Sequence, residues 1–167
     1  MRVIYLALVP FLALAACSNS ESGSGSLGGS SSWDDTAANY GDQNDPKSQT
    51  FFEKTIGDRV FFEVDQYILN ASAKVALDIQ AQWLIDNSGY VIIVEGHADE
   101  QGTREYNLAL GFRRAQSVQE YLVARGISGL RLKTRSYGKE RPIEICSVER
   151  CYAKNRRAVT LLTAGLS

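Results

Sequence analysis

The sequence has little histidine, cysteine or proline: one His, three Cys and three Pro in 167 residues. A single His cannot build the usual multi-imidazole shell of a catalytic zinc, so no metal site and no metal-dependent chemistry are expected. Charge of one sign is also missing. Eighteen Lys and Arg stand against 19 Asp and Glu, a formal net charge of −1, whereas nucleic-acid binding usually leaves a domain strongly basic; no nucleic-acid partner is expected. Nor is there a long apolar run. The stretch 3–16 has 14 residues and is broken by Pro10, short of the roughly 20 that span a bilayer. No nucleophile, base and orienting group form a convincing set, so no catalytic residues and no cofactor are expected. The length suits one domain with tails, which excludes a large multidomain enzyme.

What is present is unevenly distributed. Met1 and Arg2 precede the short apolar run, the pattern of a secretory signal. That run ends in Leu14-Ala15-Ala16-Cys17, which resembles the lipobox of bacterial lipoproteins. The resemblance implies cleavage after Ala16, diacylglycerol on the Cys17 sulfur and acylation of the new amino terminus by a palmitate-like chain. Several acyl chains together anchor a protein almost permanently, where one would not. Ser18 rather than Asp after the Cys implies the outer membrane.

From 18 to 32, 12 of 15 residues are Ser or Gly, too little apolar surface to offset the entropy of ordering. Across 18–49 there are five acids and one base, a net of −4, while 50–167 carries 16 bases and 14 acids, a net of +2. Three regions follow: a cleaved signal 1–16, a lipidated Cys with a flexible tether 17–49, and a folded domain 50–167. Such a tether has an r.m.s. length of roughly 30 Å. Trp33 and Tyr40 within it are candidate docking residues for a partner or stray aromatics.

In the domain, 60–64 (VFFEV) suits a buried strand. A helix is expected over 71–87, capped by Asn70 or Ser72 and followed by Gly89, with Val75, Ala76, Ile79 and Trp83 facing a sheet. The run 90–94 (YVIIV) reads as a central strand. After a loop from Gly96 to Gly102, Thr103 caps a second helix to about Arg125, stopped by Gly126, with Leu108, Phe112 or Ala115, Val118 or Gln119 and Leu122 inward and Arg113 and Arg114 at the edge. Strands near 131–137 and 157–163 complete an α+β sandwich, two main helices on one face of a mixed four-stranded sheet.

The segment 95–115 reads EGHADEQGTREYNLALGFRRA. With FFEVDQY at 61–67, SYGKERP at 136–142 and KNRRAV at 154–159, it resembles the OmpA-like peptidoglycan-binding domain family, most specifically the branch of peptidoglycan-associated lipoproteins; lipobox and tether agree independently. Arg104 and Phe112 depart from the commoner pattern, which has Pro and a polar residue there. The resemblance implies an OmpA-like two-layer sandwich and a noncatalytic module that holds peptidoglycan through diaminopimelate, linking outer membrane to wall from the periplasmic side. A TolB-type propeller partner and a part in a Tol-Pal type system, envelope integrity and cell division are implied with it. The rival expectation is a membrane-anchored peptidoglycan-processing or metal-dependent hydrolase.

The diaminopimelate side chain ends in an ammonium and a carboxylate, so its site needs an anion and a cation a few ångströms apart. By the resemblance, Asp99 accepts from the ammonium and Arg114 holds the carboxylate with its planar fork. Arg114 lies 11 residues beyond the cap, about 16 Å along a helix, so the loop must fold back. Val64 and Asp65 match positions beside the ligand. Asn107 matches a polar contact or a loop brace, and Leu110 an apolar wall. His97 reads as a hydrogen-bonded loop residue, and Arg113, Arg114, Arg156 and Arg157 as solvated or paired. Cys146 and Cys151 are an even pair in an exported chain and are expected to form a disulfide before the last strand; a metal pair is the rival reading.

Overall fold

The computed structural model describes residues 41–164. The signal 1–16, Cys17 and the tether to residue 40, with Trp33 and Tyr40, lie outside the described residues. In chain order the elements are α1 (Gln49–Phe51, continued by a π-helical turn Phe52–Gly57), β1 (Arg59–Phe61), α2 (Ala71–Asp86), β2 (Tyr90–His97), α3 (Arg104–Ala124), a 3-10 turn Gly129–Arg131, β3 (Leu132–Gly138), α4 (Glu149–Asn155) and β4 (Arg157–Ala164). The sheet order is β1-β4-β2-β3. Only β2 and β3 are parallel, with α3 as the crossover between them. This is the expected mixed four-stranded sheet, with α2 and α3 closing the core against it. Among the described residues no helix is long and apolar enough to cross a membrane.

Local chemistry sets the helix starts. The Asn70 side chain accepts from the Ala73 N–H at 2.8 Å, and the Thr103 hydroxyl accepts from the Tyr106 N–H at 3.2 Å, satisfying amides that have no intrahelical partner. Helix α3 ends before Gly126 at φ +100°, a left-handed position that glycine adopts without strain. The far end of α2 is closed from a distance: Arg131 donates to the carbonyls of Leu84, Asn87 and Tyr90 at 3.0–3.1 Å.

The inward faces agree with the expected ones at Trp83, Ala115, Val118 and Leu122 and differ elsewhere. Val75 and Ile79 are exposed, and α2 instead buries Ala73, Leu77, Gln80, Ala81, Trp83 and Leu84. Gln80 hides this stripe from a hydrophobicity count. It is fully buried, donating to the Gly57 carbonyl at 2.7 Å and accepting from the Thr160 hydroxyl at 2.9 Å. On α3, Leu108 and Phe112 are exposed, while Asn107, Leu110, Gly111, Arg114, Ala115, Val118 and Leu122 face inward. Two glycines bring α3 onto β2: a Cβ on Gly96 would lie 1.8 Å from the Gly111 carbonyl oxygen. Gly96 therefore belongs to the strand and serves close packing rather than a loop.

The first strand stops at Phe61. After Phe62 the chain turns, with the Gln66 N–H donating to the Glu63 carbonyl at 3.1 Å and Asp65 at φ +57°, so Val64 and Asp65 sit on a turn and not on a strand end. The body also begins before residue 50. Trp83 Nε1 donates to the Pro46 carbonyl at 2.9 Å, the Tyr90 hydroxyl donates to the Lys47 carbonyl at 2.8 Å, and Ser48 is buried. Helix α4 was not expected; it lies in the loop before β4, where Cys146 and Cys151 form a disulfide with Cα atoms 5.9 Å apart.

Candidate functional site

Past the end of β2, the Ala98 N–H donates to the Gly138 carbonyl at 2.8 Å, and the chain then doubles back over the start of α3. Asn107 makes the fold-back. Buried at 1% exposure, its amide donates to the carbonyls of Gln101 at 2.7 Å and Asp99 at 3.3 Å. Gly102 takes φ +90°, and Lys139 Nζ donates to its carbonyl at 2.7 Å. The expected loop reversal is present, and Asn107 acts as its brace.

Between this loop, the 63–66 turn and the first turns of α3 lies a cavity of about 250 Å³, lined by Val64, Asp65, Asp99, Gln101, Gly102, Tyr106, Asn107 and Leu110. Five of the six residues expected from sequence are brought together here. Tyr106, Gln101 and Gly102 were missed. Tyr106 stands four residues before Leu110, one turn away on the same helix face, and that spacing could have found it. Its hydroxyl donates to Asp65 Oδ1, and the Asp65 carboxylate holds the phenol above its ordinary pKa.

Arg114 is the exception. It does not line the cavity, and its guanidinium is fully buried. Nε donates to the Gln66 carbonyl at 2.7 Å, Nη1 to the His97 carbonyl at 2.8 Å and Nη2 to the Glu63 carbonyl at 3.2 Å. The group also lies 5.2 Å over the Phe62 ring. The fork expected to grip a ligand carboxylate instead bolts the 63–66 turn to the end of β2. Burial pushes its pKa down to about 10, against the attraction of Asp99; it remains a cation at neutral pH.

The ion pair of Asp99 is with Arg156, Nη1 to Oδ2 at 3.2 Å. Arg156 also donates to the Phe62 carbonyl at 3.1 Å and pairs through Nη2 with Glu149. Burial alone would lower its pKa, but Glu149 and Asp99 together raise it. Of the four arginines expected to be solvated or paired, only Arg113 is exposed, 5.5 Å over the Tyr67 ring. Arg157 is buried and donates to the Asn155 and Arg141 carbonyls. Arg104 meets Glu140 at 3.1 Å on the surface.

His97 is the last residue of β2 rather than a loop residue. It is 2% exposed, stacked on Tyr137 with ring centroids 5.6 Å apart, and its Nδ1 has no hydrogen-bond partner. Burial, with repulsion from Arg157, Arg141 and Arg59, pushes its pKa down to about 3. The unfolded chain takes up this proton near pH 6.5 and the folded one does not until about 3, so stability falls as pH drops through that window. His97→Gln is expected to flatten the fall, read as urea midpoints at pH 7, 5 and 4; equal slopes in both proteins would show that His97 does not cause it.

Residues 61–156 match the OmpA family. Along nearly the whole chain it is 45% identical to a peptidoglycan-associated lipoprotein of Mesorhizobium japonicum, covering 97% of this chain and 92% of that one. This chain belongs to the OmpA family, among the peptidoglycan-associated lipoproteins. A second such lipoprotein, from Pseudomonas aeruginosa, is 39% identical, with 92% of each chain covered. The crystal structure of the peptidoglycan-associated lipoprotein from Burkholderia pseudomallei is similar at TM-score 0.64 and 34% identity, over 72% of this chain and 98% of that one. The C-terminal domain of Helicobacter pylori MotB, at 22% identity and TM-score 0.59 over 65% of this chain and 86% of that one, shares the fold. The OmpA-family match runs from β1 to Arg156, and so takes in the turn, the loop and both buried arginines that shape the cavity.

Proposed function

We propose that this OmpA-family lipoprotein binds peptidoglycan noncovalently through the diaminopimelate of its stem peptides, without catalysing a reaction. Lipid on Cys17 holds it in the outer membrane, with the domain, whose contacts reach back to about Pro46, in the periplasm and the segment before it as tether. It works in a Tol-Pal type system with a TolB-type propeller, in envelope integrity and division.

The observation that carries the reading is the convergence of Asp65 and Asp99 on one cavity backed by buried arginines. An ammonium entering between two carboxylates forms charge-assisted hydrogen bonds in a sheltered space, where they are stronger than in open water. Arg114 and Arg156 do not line the cavity but place positive charge behind the two carboxylates, which favours the carboxylate at the same tip of the ligand, while Val64 and Leu110 supply apolar walls along its methylenes.

The test is co-sedimentation of the full chain, in detergent, with purified sacculi. Asp99→Asn is expected to weaken binding about 30-fold, the equivalent of about 2 kcal/mol, through loss of a charge-assisted contact, and Cys17→Ser to leave the chain extractable from membranes by aqueous buffer. No soluble wall fragments should be released. Undiminished binding by Asp99→Asn would overturn the site, and fragment release would favour a hydrolase.

A further inference from the structure

The disulfide lies outside the cavity, yet a short chain of contacts joins it to Asp99. Cys151 sits in the first turn of α4, which has no side-chain N-cap: Val148 stands at the cap position, and the Cys151 N–H bonds its carbonyl at 2.9 Å. The bridge from Cys146 supplies the tie that a cap would otherwise give. Two residues before Cys151, Glu149 pairs with Arg156, and Arg156 holds Asp99 Oδ2 at 3.2 Å. At the other end of α4, fully buried Asn155 accepts from the N–H groups of Ile143 and Glu144 and donates to Glu100 Oε1 at 2.7 Å. Asp99 and Glu100, neighbours in the cavity loop, are thus held by Arg156 and Asn155 at the far end of the helix whose first turn carries the bridge, and Glu149 links that first turn to Arg156.

We propose that Arg156 is a positioning residue for Asp99, and that the Cys146–Cys151 disulfide sets how firmly it holds that carboxylate, so that oxidation tightens ligand binding and reduction loosens it. This rests on the cavity being the diaminopimelate site. Reduction by a dithiol transfers two electrons and two protons to the bridge, giving two thiols here and a disulfide on the reductant. The first turn of α4 is then free to fray, Glu149 leaves Arg156, and Arg156 keeps only the Phe62 carbonyl, besides Asp99 itself, to fix its place. Ordering that carboxylate becomes part of the cost of binding.

The experiment is calorimetric titration of the full chain in detergent with a diaminopimelate-containing muropeptide, before and after treatment with a dithiol, for the wild type and Glu149→Gln. Glu149 is a surface residue that does not line the cavity. Reduction is expected to weaken wild-type binding about 5-fold. Glu149→Gln should weaken the oxidised protein by a similar factor and respond to reduction by less than 2-fold, because both changes act on one contact. A reduced wild type that binds as well as the oxidised one, or equal reduction effects in both proteins, overturns the proposal. Amide NMR spectra without ligand keep it separate from the functional reading: Asp99, Glu100 and Gln101 signals that shift on reduction, in a chain that binds no muropeptide, uphold the coupling and sink the site, whereas unmoved signals sink the coupling.

Discussion

Arg114→Ala is expected to destabilise the domain by about 4 kcal/mol or more and to abolish binding to sacculi. The fully buried guanidinium closes three main-chain carbonyls, those of Glu63, Gln66 and His97. Truncation removes a donor from all three, of which Glu63 keeps the Gln66 N–H, and leaves a void beneath Phe62. Each unpaired buried group costs about 1–3 kcal/mol, with partial relief where water enters. Arg114→Lys keeps the charge but offers one ammonium where three directions are needed, so it should fall between the two. At a temperature where the lysine variant is still folded, its sacculus binding should be at least 10-fold weaker, because the turn that carries Asp65 is no longer bolted down. Urea unfolding reads the first effect and co-sedimentation the second. An alanine variant as stable as the wild type would show that the bolt holds nothing.

Gly96→Ala is expected to cost about 3 kcal/mol or more. Its Cβ would meet a backbone oxygen, that of Gly111, at 1.8 Å, and also crowd the Ala115 amide at 3.2 Å. Neither can swing away as a side-chain tip would, so α3 must lift from β2, beyond the usual cost of an overpacked core. Because Tyr106, Asn107 and Leu110 ride on α3, the cavity should deform as well. Gly89→Ala, with nothing within 4 Å of the added carbon, is the control and should melt as the wild type does. Thermal denaturation followed by circular dichroism separates the two; a small shift for Gly96→Ala would mean the helix can ride higher without loss.

Much of the site was legible because it is local. The segment from Gly96 to Leu110 contains a loop, a cap and the first turns of one helix, and the two hydrogen bonds by which Asn107 braces the reversal, to the Gln101 and Asp99 carbonyls, span only six and eight residues. The role of Arg114 was not legible. Its partners lie 17, 48 and 51 residues away, and all are main-chain carbonyls, which have no side-chain signature. The same holds for Arg156, 57 residues from Asp99 and 94 from Phe62. The inner faces of α2 and α3, right at Trp83, Ala115, Val118 and Leu122, were misjudged elsewhere for a related reason. A count of apolar side chains penalises Gln80, Asn107 and Arg114, yet all three are buried because distant groups satisfy them.

By itself the sequence determined that α2 begins near Asn70 and α3 at Thr103, roughly where the four strands lie, and which short motif holds the carboxylate, since caps, apolar runs and turn residues act within a few residues. Only the tertiary structure decided that Arg114 faces inward as a bolt, that Arg156 is the partner of Asp99, and that α3 rests against Gly96. Those outcomes depend on which surfaces meet once the chain has folded, and a buried charge goes wherever unpaired carbonyls from other elements converge on it.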